Sequence, residues 1–194
     1  MPRTALRDRK REFVRAEASA AILKLVIERG FENITVDDMA AAAGLARRTF
    51  FRYFESKEDA LFVGVDAFGE AIAAAIERQP VDHGVWDAIR DGVLECVKGS
   101  PDAPELKRLS QLLYQSPALR TRHLDKHDRW RLLLAANIAR RLRGRRAQHR
   151  AELLAAVALA ALDAANMEWH HSRTKLATLV SQAFEDARPA RIEE

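Results

Sequence analysis

Cysteine is almost absent from this chain: Cys96 is the single one among 194 residues. One thiol excludes an internal disulfide framework and any zinc site built from several cysteines. Glycine and proline are also scarce, at 8 and 6 positions, which excludes collagen-like and low-complexity chains. Hydrophobic residues make up 48% of the sequence, yet no apolar run approaches the ~18 residues that a membrane span requires. The composition is that of an ordered globular protein.

β-branched residues are sparse and no window alternates at period two for long, whereas alanine and leucine dominate. The sequence therefore predicts an all-α fold. The N-terminus lacks the apolar core of a signal peptide, so we expect a cytoplasmic protein. No nucleophile–base pair, phosphate-cradling glycine loop or carboxylate pair is apparent, so we predict neither enzymatic activity nor a cofactor. The net charge of +4 is compatible with nucleic-acid binding but does not establish it.

The first third of the chain predicts a helix-turn-helix. Thr35 is a good N-cap, and Asp38 three residues later completes an acidic capping box. The alanine-rich run 36–43 favours a helix, and Gly44 supplies the left-handed residue that ends it. A second short helix is expected over 46–54. Two helices joined by a tight glycine turn place the second one in the major groove of DNA.

The second helix carries side chains suited to that groove. Arg47 and Arg48 can reach guanine edges or phosphates, and Phe51 can contact a thymine methyl group. Phe50 and Phe54, four residues apart, are expected to pack inward. The alternative, an aromatic core helix with solvated arginines, leaves the coincidence of cap, turn glycine and basic face unexplained. The predicted DNA contacts are Thr35, Val36, Arg47, Arg48, Thr49, Phe51, Tyr53 and Lys57.

These motifs resemble the DNA-binding domain of the TetR family of bacterial repressors. The shared pattern comprises Gly30-Phe31, Thr35-Val36, Ala40-Ala43-Gly44, Thr49 to Phe54, Lys57-Glu58 and Leu61. Two positions depart from the family pattern: Ala46 replaces a capping serine, and Phe51 replaces a common tyrosine. The resemblance implies a three-helix DNA-binding domain over 1–56 and a helical ligand-binding and dimerisation bundle over 57–194, with about nine helices in all.

The helical periodicity and the breakers between segments give the expected bounds. A basic arm precedes the first helix and contains Arg3, Arg7, Arg9, Lys10 and Arg11. Ser56 is expected to cap a fourth helix that carries Leu61, Phe62, Val65, Phe68 and Ile72 inward. The predicted helices outside the helix-turn-helix are 8–29, 57–79, 82–99, 102–116, 118–143, 148–171 and 174–188.

Family members are homodimers that associate through their last two helices, and the resemblance implies the same here. A dimer also follows from the motif, because one short recognition helix reads few bases and a two-fold dimer doubles the site. The alternative is that these side chains form ordinary bundle core. The predicted interface residues are Leu153, Leu154, Val157, Ala161, Leu176, Leu179 and Val180.

The stretch 116–131, together with the sequence RRTFFRYF, resembles a branch of the family that binds acyl-CoA-like ligands. An acyl chain requires apolar walls, and cations near the opening would meet the CoA phosphates. The alternative is that Trp130 and Trp169 simply fill the core. The residues predicted to bind ligand are Trp86, Leu109, Leu113, Tyr114, Arg120, Trp130, Arg131, Leu134, Asn137 and Trp169.

His123 and His127 stand at metal-ligand spacing on one helix, but a zinc site needs a third ligand and no thiolate is near. We therefore predict surface histidines beside Asp125 and Asp128, and no metal. The arginine-rich run 140–150 is expected to be a solvated interhelical loop.

The sequence as a whole predicts a dimeric repressor that an apolar effector, such as a long-chain acyl-CoA, releases from a palindromic operator. One alternative is a regulator of an efflux or antibiotic pathway with a different apolar effector. Another, from a different class of protein, is a helical lipid-binding protein.

Overall fold

A computed structural model describes residues 2–63, 65–99 and 104–188. In these residues the chain forms nine α-helices and two short 3₁₀ turns, with no strand, so the predicted all-α fold is confirmed. The helices are α1 (Pro2–Arg29), α2 (Val36–Ala42), α3 (Arg47–Tyr53), α4 (Val65–Arg78), α5 (Val85–Gly99), α6 (Pro104–Gln115), α7 (Pro117–Ala139), α8 (Ala147–Trp169) and α9 (Leu176–Asp186). The 3₁₀ turns are Phe31–Asn33 and Asp59–Leu61. None of the described helices has both the length and the apolar character that crossing a bilayer requires.

Contacts divide the chain into two compact units. The first contains Met1–Val65 and Leu112–Arg122, and the second contains Asp66–Gln111 and His123–Glu194. The domain boundary that we predicted after residue 56 therefore differs from this division, which extends the first unit to Val65 and adds a segment from the middle of the chain.

The first unit is organised around α1, which packs against α2 and both 3₁₀ turns. Its apolar side chains are withdrawn from water, which stabilises the fold by roughly 1.5–3 kcal/mol for each large one. The core residues include Ile22, Val26, Phe31, Ile34, Met39, Phe50, Phe54, Leu61 and Phe62.

The helix α1 begins earlier than the sequence indicated. It starts at Pro2 rather than at Asp8, so the basic stretch that we expected as an arm forms the first turns of the helix. The side chains of Arg7, Arg9, Lys10 and Arg11 are exposed there, and that of Arg3 lies outside the described residues.

The predicted fourth helix is also different. Residues 59–61 form a 3₁₀ turn and α4 starts only at Val65. Ala60, Leu61 and Phe62 are all buried. Ser56 still caps the segment as predicted, since its Oγ accepts the backbone N–H of Asp59 at 3.1 Å.

In the second unit, α9 packs against α8 and α5. Trp86 of α5 stacks against Phe184 of α9 with ring centroids 5.1 Å apart, and its Nε1–H donates to the Phe184 carbonyl at 3.0 Å. Gly92 of α5 permits another close approach, because a Cβ there would lie 2.8 Å from the backbone nitrogen of Ile76 in α4. The contact between the Trp86 and Phe184 rings holds α5 against α9, and the close approach at Gly92 holds it against α4.

Candidate functional site: a helix-turn-helix surface and a helical bundle

The start of α2 is fixed by the predicted capping box. The Thr35 hydroxyl accepts the Asp38 N–H at 3.2 Å, and the Asp38 carboxylate accepts the Thr35 N–H at 2.7 Å and its hydroxyl hydrogen at 2.6 Å. These hydrogen bonds, from the Thr35 side chain first and its backbone second, lower the pKa of Asp38. Both donors of Thr35 are therefore used within the protein.

The turn that follows has the predicted glycine geometry. Gly44 has a φ of 64°, in the left-handed region that favours glycine, and it precedes Leu45, whose N–H reaches the Ala40 carbonyl at 2.8 Å. Ala46 provides no side-chain cap for α3. The helix is instead anchored by Phe50 and Phe54, which are 0% and 1% exposed and lie 5.0 Å apart between ring centroids.

The opposite face of α3 presents cations and one aromatic ring to solvent. Arg47, Arg48 and Arg52 are exposed, and the Phe51 side chain is 48% exposed. Arg47 donates to the Asp37 carboxylate at 2.8 Å, in a pair whose side chains are 59% and 65% exposed. Arg48 has no carboxylate partner among the described residues. We call this face, formed by Arg47, Arg48, Phe51 and Arg52, the basic face.

The ammonium group of Lys57 is bound within the protein in this structure. Its Nζ donates to the Phe31 carbonyl at 2.6 Å and lies 4.2 Å from the centroid of the Phe31 ring. Val36, Thr49 and Tyr53 are half-buried, and the Arg52 guanidinium covers the Tyr53 ring at 5.1 Å. The DNA contacts that the sequence predicts for Val36, Thr49, Tyr53 and Lys57 stay predictions.

Our sequence reasoning missed a polar network in the first unit. Asp59 accepts from Arg15 of α1 at 3.4 Å and lies 3.6 Å from Arg122 of α7. In the same unit, the buried Ser116 hydroxyl donates to Glu32 at 2.6 Å. These contacts join residues 44–84 positions apart, so no local pattern could have revealed them. They tie the segment Leu112–Arg122 to the turns that precede α2 and α4.

In the second unit, the predicted ligand-binding tryptophans lie in different surroundings. Trp86 belongs to the α5–α9 core, as described above. Trp169 is 7% exposed, and the Lys107 ammonium lies 5.7 Å from its ring centroid. Trp130 is 6% exposed and packs against Phe68 and Gly69 of α4. Its Nε1–H is buried without a hydrogen-bond acceptor among the described residues.

The remaining predicted ligand-binding residues belong to both units. Leu134 is buried, Asn137 donates to the Leu133 carbonyl at 3.1 Å, and Arg131 lies 3.7 Å from Asp128. Leu109 is half-buried. Leu113, Tyr114 and Arg120 belong to the first unit. The ligand-binding role of all ten residues stays a prediction.

The prediction of surface histidines is wrong. The side chains of His123 and His127 are only 13% and 12% exposed. Asp163 of α8 meets both of them, with His123 Nε2 3.3 Å from Oδ1 and His127 Nδ1 3.3 Å from Oδ2. The carboxylate comes from the next helix and not from Asp125 or Asp128, which are exposed. Two imidazoles and one carboxylate therefore form a compact cluster that could hold a metal ion.

The first part of the arginine-rich run, 140–146, connects α7 to α8, whereas 147–150 form the first turn of α8 and not the predicted loop. Arg143, Arg145 and Arg146 are exposed, in agreement with the predicted loop. Two others are engaged with neighbouring residues: Arg140 pairs with Glu77 at 2.7 Å, and Arg141 donates to the Pro80 carbonyl at 2.9 Å.

The helices α8 and α9 also line a surface groove of about 860 Å³. Half of the lining residues are alanine and three are acidic; they are Val157, Ala160, Ala161, Ala164, Ala165, Glu168, Ser181, Gln182, Ala183, Glu185, Asp186 and Ala187. Leu154, Leu179 and Val180, which we predicted at a dimer interface, are buried within the protomer, whereas Leu153 is 57% exposed. Val157 and Leu176 are half-buried.

Two family models match the chain. Residues 19–62 match the bacterial regulatory proteins of the tetR family, and residues 83–190 match the MftR C-terminal domain. The chain belongs to the TetR family. This confirms the predicted family, whose named members are transcriptional regulators and not enzymes.

Two curated relatives are named as regulators. The transcriptional regulator TcmR of Streptomyces glaucescens is 31% identical over 147 residues, which cover 70% of this chain and 63% of TcmR. The chain thus spans less than two thirds of TcmR. A protein of Mycobacterium tuberculosis named for regulation of mycofactocin biosynthesis, MftR, is 29% identical over 147 residues, which cover 75% of this chain and 74% of MftR.

Solved structures share the fold over most of the chain. The fatty acid degradation regulator FadR of Bacillus halodurans has a TM-score of 0.64 at 19% identity, with 93% of this chain and 97% of that chain covered. FadR of Bacillus subtilis, solved with stearoyl-CoA, has a TM-score of 0.61 at 17% identity, with coverages of 89% and 96%. At these identities the likeness shows the fold alone.

Proposed function

We propose that the chain is a transcriptional repressor that binds an operator as a homodimer and is released by an apolar effector. The observation that carries DNA binding is the basic face. It displays three arginines and an aromatic ring on a helix whose opposite side is locked by Phe50 and Phe54. A rigid short helix with cations on its exposed side suits insertion into the major groove.

The residues of the basic face, and Lys57 beside it, would make different kinds of contact with DNA. Arg48 is exposed and can meet a guanine edge or a phosphate. Arg47 must exchange the Asp37 carboxylate for DNA, which is feasible because an exposed ion pair contributes little to stability. Phe51 can contact a thymine methyl group. Phosphate contacts by Lys57 would require its ammonium to leave the Phe31 carbonyl.

Fluorescence anisotropy with the DNA upstream of the protein's own gene tests this proposal, with scrambled DNA for comparison. We expect binding that weakens steeply as salt rises, since each neutralised phosphate releases counterions. The substitution Arg48→Ala should cost roughly 1–3 kcal/mol at particular bases if it reads them, or lower the salt slope by about 1 if it contacts phosphate. Arg173→Ala, which removes an exposed arginine from the loop before α9, should change neither quantity. Equal affinity for upstream and scrambled DNA would contradict the proposal for that operator.

The dimer is supported by the groove between α8 and α9. Small side chains let the backbones of two helix pairs approach closely, and the exposed Leu153 adds apolar area to the same helix. A two-fold pair of basic faces would match a palindromic operator, with half-sites about 34–36 Å apart.

For the effector we propose an acyl-CoA. The support is the shared fold with B. subtilis FadR, which was solved with stearoyl-CoA, and the buried contact between the Trp130 and Phe68 rings. A coupling of 1–3 kcal/mol would change the affinity for DNA 5–150-fold. Stearoyl-CoA added to the preformed DNA complex should therefore lower the anisotropy, whereas stearate alone and CoA alone should act far more weakly.

The other outcomes separate the alternatives. DNA binding that is indifferent to acyl-CoA would retain the regulator and replace its effector with a different apolar molecule. Acyl-CoA binding without salt-sensitive DNA binding would identify a helical lipid-binding protein instead.

A further inference from the structure

The second unit contains a three-residue cluster that the proposed regulatory function does not use. His123 and His127 lie one turn apart on α7, with their rings 4.2 Å apart between centroids, and Asp163 approaches both from α8. One ligand atom from each residue lies within 4.8 Å of the other two. We propose that these three residues bind one divalent first-row transition metal ion, of the zinc class, per protomer.

The spacing of the donor atoms is compatible with a shared metal ion. Metal–ligand bonds of about 2.0–2.1 Å that meet at tetrahedral angles place neighbouring ligand atoms about 3.3 Å apart. Both nitrogen–oxygen distances in the cluster are 3.3 Å. Charge-assisted hydrogen bonds between an imidazolium and a carboxylate are shorter, at about 2.7–2.9 Å. Each imidazole nitrogen thus lies at that spacing from one oxygen of the Asp163 carboxylate, His123 from Oδ1 and His127 from Oδ2.

The donor set selects the class of ion. Two imidazole nitrogens and one carboxylate oxygen suit zinc, cobalt, nickel and copper, whereas magnesium and calcium prefer oxygen ligands alone. Metal binding requires neutral imidazoles.

The surroundings hold the ligands in position. The His127 ring stacks on Trp130 at 5.5 Å and 25°, and Trp130 in turn packs against Gly69. Three protein ligands leave one coordination position open, as in sites where a metal also binds water or a small molecule. The site would thus join α7 to α8 within the second unit and accept an oxygen, nitrogen or sulfur atom of a ligand.

The test uses the full chain without an affinity tag, stripped of metal by dialysis against a chelator. Isothermal titration with zinc chloride should give one ion per protomer with a micromolar or lower Kd. Cobalt chloride should produce the intense visible absorption of a four-coordinate ion. Asp163→Asn and His127→Gln should each weaken binding at least 10-fold, whereas His149→Gln, at an exposed histidine of α8, and Asp125→Asn, at an exposed carboxylate of α7, should leave it unchanged.

Thermal unfolding provides a second readout. Zinc should raise the Tm of the wild-type protein and of both control variants, because a ligand of the folded state stabilises it. It should not raise the Tm of Asp163→Asn, and circular dichroism without metal will show whether that variant is folded. Absence of the cobalt absorption, or a zinc Kd that is the same in Asp163→Asn as in the wild type, would overturn the proposal. Because neither readout involves DNA, failure of this site is distinct from failure of the proposed repressor function.

Discussion

Phe50 and Phe51 are neighbours in α3 and have opposite environments. The Phe50 side chain is 0% exposed and packs on Phe54, while Phe51 is 48% exposed and meets Phe50 edge-on, with ring centroids 5.5 Å apart. One ring stabilises the fold and the other is available to a partner. The two positions therefore separate stability from binding.

We expect Phe50→Ala to lower the free energy of unfolding by about 3–5 kcal/mol, because it removes a buried ring and leaves a cavity. Phe51→Ala should cost roughly 1 kcal/mol or less but weaken binding to the operator. Urea denaturation followed by circular dichroism measures the first quantity, and fluorescence anisotropy the second. Equal losses of stability in the two variants would mean that Phe51 is part of the core.

Asp38 gives the capping box a pH dependence. Hydrogen bonds from Thr35 lower its pKa in the folded state, so the folded protein binds fewer protons than the unfolded chain as the pH falls toward the ordinary value of 3.8. The stabilisation is present above that value and is lost as the pH drops through the lower folded value. Wild-type protein should therefore be more stable than Asp38→Asn at neutral pH, and the difference should shrink in acid. Denaturation of both proteins across that range measures it, and a constant difference would contradict the interpretation.

Residue patterns anticipated the features that depend on near neighbours. The capping box, the left-handed Gly44 and the inward Phe50 and Phe54 follow from positions within a few residues of one another, and all are present. The environment of His123 and His127 could not be predicted in this way. Their partner Asp163 is contributed by another helix, and only the fold brings it near.

At the scale of whole elements, helix–helix packing depends on close approach at glycine. Gly92 of α5 lies against the backbone of Ile76 in α4, where no side chain fits. A local sequence pattern does not reveal such contacts. A glycine within a helix usually lowers the stability of that helix, so by itself it suggests a poor helix and not a packing contact. The start of α4 at Val65, after the buried residues 60–62, was not indicated by a local pattern either.

We expect Gly92→Ala to destabilise the protein by about 1–3 kcal/mol, because its methyl group would force α5 away from α4. Gly99→Ala is the matched control: it ends the same helix, and a Cβ there meets no atom within 4 Å. It should be neutral or slightly stabilising. Chemical denaturation of both variants decides the matter, and a neutral Gly92→Ala would show that the helices separate at little cost.

At the scale of the whole molecule, the proposed dimer makes stability depend on concentration. The substitution Leu179→Arg is a poor test, since Leu179 is 3% exposed and its loss would disrupt the protomer. Ala164→Arg places a charge in the groove between α8 and α9 without disturbing that core. Ala136→Arg, at an exposed alanine of α7, is the matched control.

We expect the wild-type protein and Ala136→Arg to sediment at twice the chain mass of 21.8 kDa. Their Tm should rise with concentration, because association stabilises the folded state. Ala164→Arg should sediment as a monomer with a Tm that is independent of concentration, and it should bind a half-site poorly. A dimer that survives this substitution would place the interface elsewhere.

The alanines that line the groove have a consequence for selectivity. An alanine has no rotamers to lose, so packing against this surface requires little ordering of side chains. The same property makes the groove sensitive to size: a larger side chain on either partner would hold the backbones apart and forfeit dispersion contacts along the whole helix. In the proposed dimer, the partner must therefore present small residues opposite these alanines. Related regulators that differ at even one of these alanines would be poor partners, and mixed dimers with the wrong operator specificity would be disfavoured.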